Sequence, residues 1–127
     1  MTEEEIIARG KEYFVKCYSG IVPLPEDISP KSFGELNMKI FNEVWGEDAL
    51  SFRDKRLLVL GLLAGKGSDS ALFTIHARSA LRNKEISAAE LRAAISVMLY
   101  YAGAPNATAY FISLEKLLAE TNNGDTA

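Results

Sequence analysis

His76-Ala77-Arg78-Ser79-Ala80-Leu81-Arg82-Asn83, then Ser87-Ala88-Ala89-Glu90-Leu91, then Tyr101-Ala102-Gly103-Ala104-Pro105-Asn106-Ala107: these pieces of one stretch lay out two consecutive helices and the corner that closes them. Ser87 followed three residues later by Glu90 is a capping box, since the hydroxyl can accept from the Glu90 N–H while the carboxylate reaches back to the Ser87 N–H. Leu91, Ile95, Met98 and Ala102 then recur at the period of a helix with one buried face. Gly103 breaks that helix, and Pro105 suits the first turn of the next, where its missing N–H would have had no partner anyway. The last helix presents Ala107, Phe111, Leu114 and Leu118 on one face.

The same signals continue outward. Thr2 to Glu5 is a second capping box, opening a helix with Ile6, Ile7, Tyr13, Phe14 and Cys17 on one side and an end near Gly20. Pro23, Pro25 and Pro30 mark an extended connection. From about Ser32 the spacing predicts a second helix whose face carries Phe33, Leu36, Ile40, Phe41 and Val44, with Trp45 beside them and Gly46 as the stop. Ser51 can cap a third helix, in which Leu57 to Ala64 is apolar on every side and so calls for a central position. Gly65 to Gly67 breaks it, and Ser68 or Asp69 caps a fourth helix running to about Asn83. The polar tail from Thr121 to Ala127 is expected to fray. No segment alternates with the period of a strand, so the expectation is an all-α single domain, residues 1–127, of about six helices in antiparallel hairpins.

Composition narrows the function classes. The formal charge of −3 is spread along the 127 residues without a basic stripe, which argues against nucleic acid as a partner. The Met1-Thr2-Glu3-Glu4-Glu5 start has neither the positive nor the apolar region of a secretory signal, and the Leu57–Ala64 run is too short for a bilayer, so a soluble cytoplasmic protein with no membrane partner is expected. An apolar content of 48% in so short a chain points to a homo-oligomer that covers part of it. Cys17, the only cysteine, can form no intrachain disulfide and joins no cysteine cluster for zinc, so packing is its expected role. Gly61 to Gly67 lacks the spacing of a phosphate-binding loop, and Asn106-Ala107-Thr108 is a glycosylation acceptor only on a secretory route.

His76 is the only histidine and sits on a face of apolar and small residues. An imidazole there is either a general acid or base, since it titrates near neutral pH, or a hydrogen-bonded structural group. Arg53, Arg56, Arg78 and Arg82 offer guanidinium forks that match carboxylates, or else are surface charges and inter-subunit ion pairs. Phe73, Trp45, Tyr100 and Tyr101 can wall a pocket or fill a core.

Taken together, H-x-R-x-A-L-x-N from His76 to Asn83, Ser87-x-x-Glu90-Leu91 and Tyr101-x-Gly103-x-Pro105-x-Ala107 resemble the carboxymuconolactone decarboxylase family, over about Phe33 to Glu120. Trp45-Gly46 and Leu50-Ser51-x-Arg53-x-x-Arg56 extend the likeness. The resemblance implies an AhpD-like fold, a ring of three or six subunits, and an enzyme that acts on an unsaturated lactone or related small organic acid with no cofactor and no metal. In that reaction a carboxylate is lost and the electrons left behind delocalise into a conjugated carbonyl before carbon is protonated. By resemblance, His76 supplies the proton, Arg56 or Arg78 holds the carboxylate or oxyanion, and Trp45 and Tyr101 form the wall. A thiol-redox branch of the superfamily carries C-x-x-C ahead of this histidine and a glutamate on the preceding helix. Here those positions hold Asp69, Leu72 and Leu57, which disfavours disulfide exchange. Two departures bear on substrate: Glu47 stands where the decarboxylases usually carry arginine, and Lys84 replaces the glycine that usually ends the histidine helix. The first keeps open an isomerase or hydrolase of a related cyclic enol or lactone, or a non-catalytic binding or assembly module.

Overall fold

The computed structural model describes residues 1–122, with side chains through Thr121. Residues 123–127 of the tail read as fraying lie outside the described residues, while Thr121 and Asn122 belong to the last helix, the Thr121 hydroxyl donating to the Leu118 carbonyl at 2.8 Å. The described residues form six α-helices: α1 Glu3–Tyr18, α2 Phe33–Ile40, α3 Phe52–Lys66, α4 Ser70–Arg82, α5 Ala88–Ala102 and α6 Ala104–Asn122. A π-helical segment, Phe41–Trp45, prolongs α2. No strand occurs among the described residues. The chain divides into two compact units, Met1–Phe52 and Arg53 onward.

In the first unit the Thr2 capping box forms as predicted, with Thr2 Oγ1 accepting from the Glu5 N–H at 3.1 Å. Gly10 lets α1 approach α2, because a Cβ at that position would collide with the Met38 carbonyl. The core here is Phe14, Cys17, Met38, Phe41 and Trp45. That overturns the expected face of the second helix: Phe33 is 77% exposed and Leu36, Ile40 and Val44 are also exposed, whereas Gly34, Met38, Phe41 and Trp45 turn inward. The inward positions keep an ordinary helical spacing of four, three and four residues, and the face is set by close backbone approach at Gly34, where a Cβ would collide with the Asp27 carbonyl. At the end of the π segment the Gly46 N–H reaches back five residues to the Phe41 carbonyl, at 3.1 Å.

The second unit is built on Leu60 and Ala64 of α3, Phe73, Ala77 and Ala80 of α4, Leu91, Ile95 and Met98 of α5, and Ala107, Tyr110, Leu114 and Leu117 of α6. On α6, Phe111 is about half exposed, against expectation, and Tyr110 takes the inward position, stacked on Phe73 with ring centroids 4.6 Å apart. Nor is α3 covered all round within the chain, since Leu58 and Leu62 are more than half exposed. Side chains of α6 tie down the turn that ends α3: Asn106 Nδ2 donates to Ala64 O at 2.9 Å, and Tyr110 Oη lies 2.9 Å from Leu63 O and 2.7 Å from Ser68 O, beside the backbone bonds that Leu63 O and Ala64 O accept from Ser68 and Gly67. Asp69 is the residue that caps α4, and the Ser87–Glu90 box opens α5 as read.

Candidate functional site

The second unit carries a buried polar cluster that its apolar core does not require. Arg56, on the first half of α3, is fully buried. Its Nε donates to Glu85 Oε1 at 2.9 Å and its Nη2 to Glu85 Oε2 at 3.1 Å, so one edge of the guanidinium is held by a two-point carboxylate contact. Nη1 donates to His76 Nδ1 at 2.9 Å. A guanidinium can only donate, so Nδ1 accepts and the ring proton of the neutral imidazole resides on Nε2.

Glu85 reaches this position through the way α4 ends. Lys84 adopts the left-handed conformation, φ 56°, with its N–H on Leu81 O at 3.1 Å, while the Glu85 N–H bonds to Ala80 O at 2.9 Å. That pair of bonds is a Schellman motif, which turns the chain back over the helix end. The usual glycine at such a position would avoid a left-handed side chain, and Lys84 occupies it nevertheless. Asn83 Nδ2 adds a hydrogen bond to Glu85 Oε2 at 3.0 Å.

The electrostatics favour a neutral histidine. Burial, reinforced by the Arg56 charge and opposed by Glu85, pulls His76 from its ordinary value near 6.5 down to about 4. One turn along α4, the fully buried Ser79 hydroxyl has no hydrogen-bond partner among the described residues.

Of the residues singled out from sequence, the structure brings His76 and Arg56 together. Arg78 lies on another side of α4, its Nη2 3.0 Å from Glu120 Oε2 of α6, in a groove of about 390 Å³ shared with Thr74 and Lys116. Arg53 pairs with Glu90 at 2.6 Å. Tyr101, near the end of α5, is 89% exposed and borders an open surface depression with Tyr100 and Val97. Trp45 belongs to the first unit and packs against Phe41 and Phe52. Asp69, at one of the positions where the thiol branch has cysteine, is the α4 cap, and Cys17 is fully buried in the first unit. Glu85 was not anticipated. The only sequence signal for it is the lysine in place of glycine just before it, which marks a helix end of unusual chemistry. Among the described residues no group of His, Cys, Asp and Glu side chains converges as a metal site, and no helix is long and apolar enough to cross a membrane.

The carboxymuconolactone decarboxylase family model matches residues 32–116. The chain belongs to the carboxymuconolactone decarboxylase family. The family match covers two-thirds of the chain and takes in Trp45, Arg56, His76, Arg78, Glu85 and Tyr101. No curated protein and no solved structure matches the chain.

Proposed function

We propose that this chain is a cofactor-independent enzyme acting on an unsaturated lactone or a related small organic acid, with decarboxylation as its reaction class and His76 at the reacting centre. The observation that carries this reading is the Glu85–Arg56–His76 chain of hydrogen bonds. A fully buried guanidinium is expensive to desolvate and adds little net stability even when paired. Its contact with His76 makes Nδ1 an acceptor and so leaves the ring proton on Nε2.

The reading refines the role of His76. A histidine with its pKa lowered to about 4 carries no charge near neutral pH and cannot act there as an imidazolium acid. Instead Nε2–H donates a hydrogen bond to the carbonyl oxygen of the substrate. As the carbon–carboxylate bond breaks, its electron pair moves into the conjugated carbonyl, carbon dioxide leaves, and the oxygen gains the charge that Nε2–H stabilises. Water then protonates carbon. Arg56 strengthens the donor by drawing electron density through Nδ1, so it works behind the histidine and not on the substrate carboxylate. Arg78, Trp45 and Tyr101 stay in this proposal as binding residues on the family pattern alone. A ring of three or six subunits is part of the same reading, supported by the exposed apolar side chains of α2 and α3.

A second reading, isomerisation or hydrolysis of a lactone that lacks the second carboxylate, is favoured by Glu47, which would repel that carboxylate. Turnover of a panel of carboxylated and uncarboxylated lactones, with carbon dioxide measured, separates the two. His76→Ala should lower the rate on the true substrate by about two to four orders of magnitude while the protein remains folded. A folded variant that turns over normally would remove His76 from the reaction.

A further inference from the structure

We propose that Glu85 is a positioning residue for His76, acting through Arg56: the carboxylate fixes the guanidinium plane, and the plane commits the imidazole to the Nε2–H tautomer. The inference deepens the proposed function and rests on it for its consequence in catalysis, while the tautomer itself can be read without any substrate.

The geometry supports this step by step. A guanidinium is planar, so two contacts along one edge fix its orientation. Glu85 makes both, at 2.9 Å to Nε and 3.1 Å to Nη2. The N–H directions of the remaining terminal nitrogen, Nη1, are then fixed in that plane, and His76 Nδ1 lies 2.9 Å from it. Glu85 is itself secured, by Asn83 on Oε2 at 3.0 Å and by its own N–H on Ala80 O at 2.9 Å. Its side chain is 8% exposed, so water competes little for the carboxylate. The imidazole and the group that orders it therefore belong to the same helix and its terminal turn, with Arg56 of α3 as the bridge. Without the carboxylate the arginine can rotate about its long side chain, and Nδ1 loses the donor that keeps it unprotonated.

Because His76 is the only histidine, the experiment is direct. In ¹⁵N-labelled protein at pH 7 a long-range ¹H–¹⁵N spectrum of the imidazole should show a single neutral tautomer with the proton on Nε2. Glu85→Gln, which keeps the shape and removes the charge and one acceptor, should bring in a mixture of tautomers and lower kcat by at least about tenfold with KM little changed. Asn83→Ala, a milder change to the same carboxylate, should move the spectrum in the same direction by less. Glu115→Gln, which breaks the surface Arg92–Glu115 pair, should leave it unchanged.

An Nδ1–H tautomer in the wild type overturns the proposal even if Glu85→Gln fails to fold. So does a folded Glu85→Gln whose spectrum matches the wild type, and that result leaves the role of His76 intact. A shifted tautomer with unchanged turnover upholds the orienting contact and counts against the proposed function.

Discussion

Acidification offers the sharpest perturbation, since it acts on the one imidazole of the chain. In the unfolded chain His76 takes up a proton around pH 6.5, whereas in the folded protein it resists until about pH 4. Between those values the unfolded state binds more protons than the native state, so stability is complete above pH 6.5 and drains away as the pH falls through this window. A shift of about two and a half units, at about 1.4 kcal/mol per unit, sets the whole effect at about 3 kcal/mol, of which about 2 to 3 kcal/mol is expressed by pH 4.5. Carboxylates titrate in the same range, so the imidazole has to be isolated by difference. His76→Gln carries no titrating group at this position, and urea titrations of wild type and variant at pH 7.5, 6.5, 5.5 and 4.5 should give stability curves that separate on acidification. The wild type should lose about 2 to 3 kcal/mol more than the variant. Curves that stay parallel over the whole range would refute the reasoning, because they would mean that His76 protonates equally easily in both states and is not held neutral by its surroundings.

Two other predictions concern packing and assembly. Ser79→Ala removes a buried hydroxyl that has no hydrogen-bond partner among the described residues and should raise stability by about 1 kcal/mol in thermal melts, whereas an equal loss would mean that the hydroxyl is bonded in solution. Light scattering at micromolar concentration should return three or six subunits, and Leu58→Glu together with Leu62→Glu on the exposed side of α3 should lower that number if this surface is covered in the ring; a wild type that stays monomeric would end the assembly reading.

Helix number, the capping boxes and the Gly/Pro corner were legible because each is local, written within three or four residues of the structure it makes. Thr2–Glu5 and Ser87–Glu90 form the contacts their spacing predicts. The buried face of α2 was not legible, because its inward stripe begins with Gly34, which packs by backbone approach to the Asp27 carbonyl and carries no apolar side chain for the pattern to register, while the larger Phe33 beside it stays exposed. Phe111 and Tyr110 illustrate a related ambiguity: neighbouring aromatics differ by a hundred degrees around the helix, and the inward place goes to the one whose hydroxyl can reach the carbonyls at the end of α3. In the candidate site, the resemblance singled out His76 and Arg56 separately, and the structure shows them in contact. Glu85 was not legible, since its partner lies 29 residues away and the contact depends on a left-handed lysine that sequence rules would exclude from that turn.

The state of His76 also decides which chemistry its neighbours can support. Protonating the ring would turn Nδ1 from acceptor to donor and set it against Arg56 Nη1, which lies 2.9 Å away and can only donate. The hydrogen bond would become a contact between two cations, beside a Glu85 carboxylate already engaged by the guanidinium. A charged acid is therefore the form that this cluster tolerates least, and a neutral donor the form that it stabilises. The two mechanisms predict different rate profiles. An imidazolium acid with an ordinary pKa loses activity as the pH rises through about 6.5, because the active form disappears. A neutral Nε2–H donor with its pKa near 4 remains in its active form across the same range, so kcat should stay level from pH 6 to pH 9 and fall only on acidification toward pH 4. A kcat that declines about tenfold per pH unit above 6.5 would restore the charged proton donor and would require bound substrate to displace Arg56 from the ring.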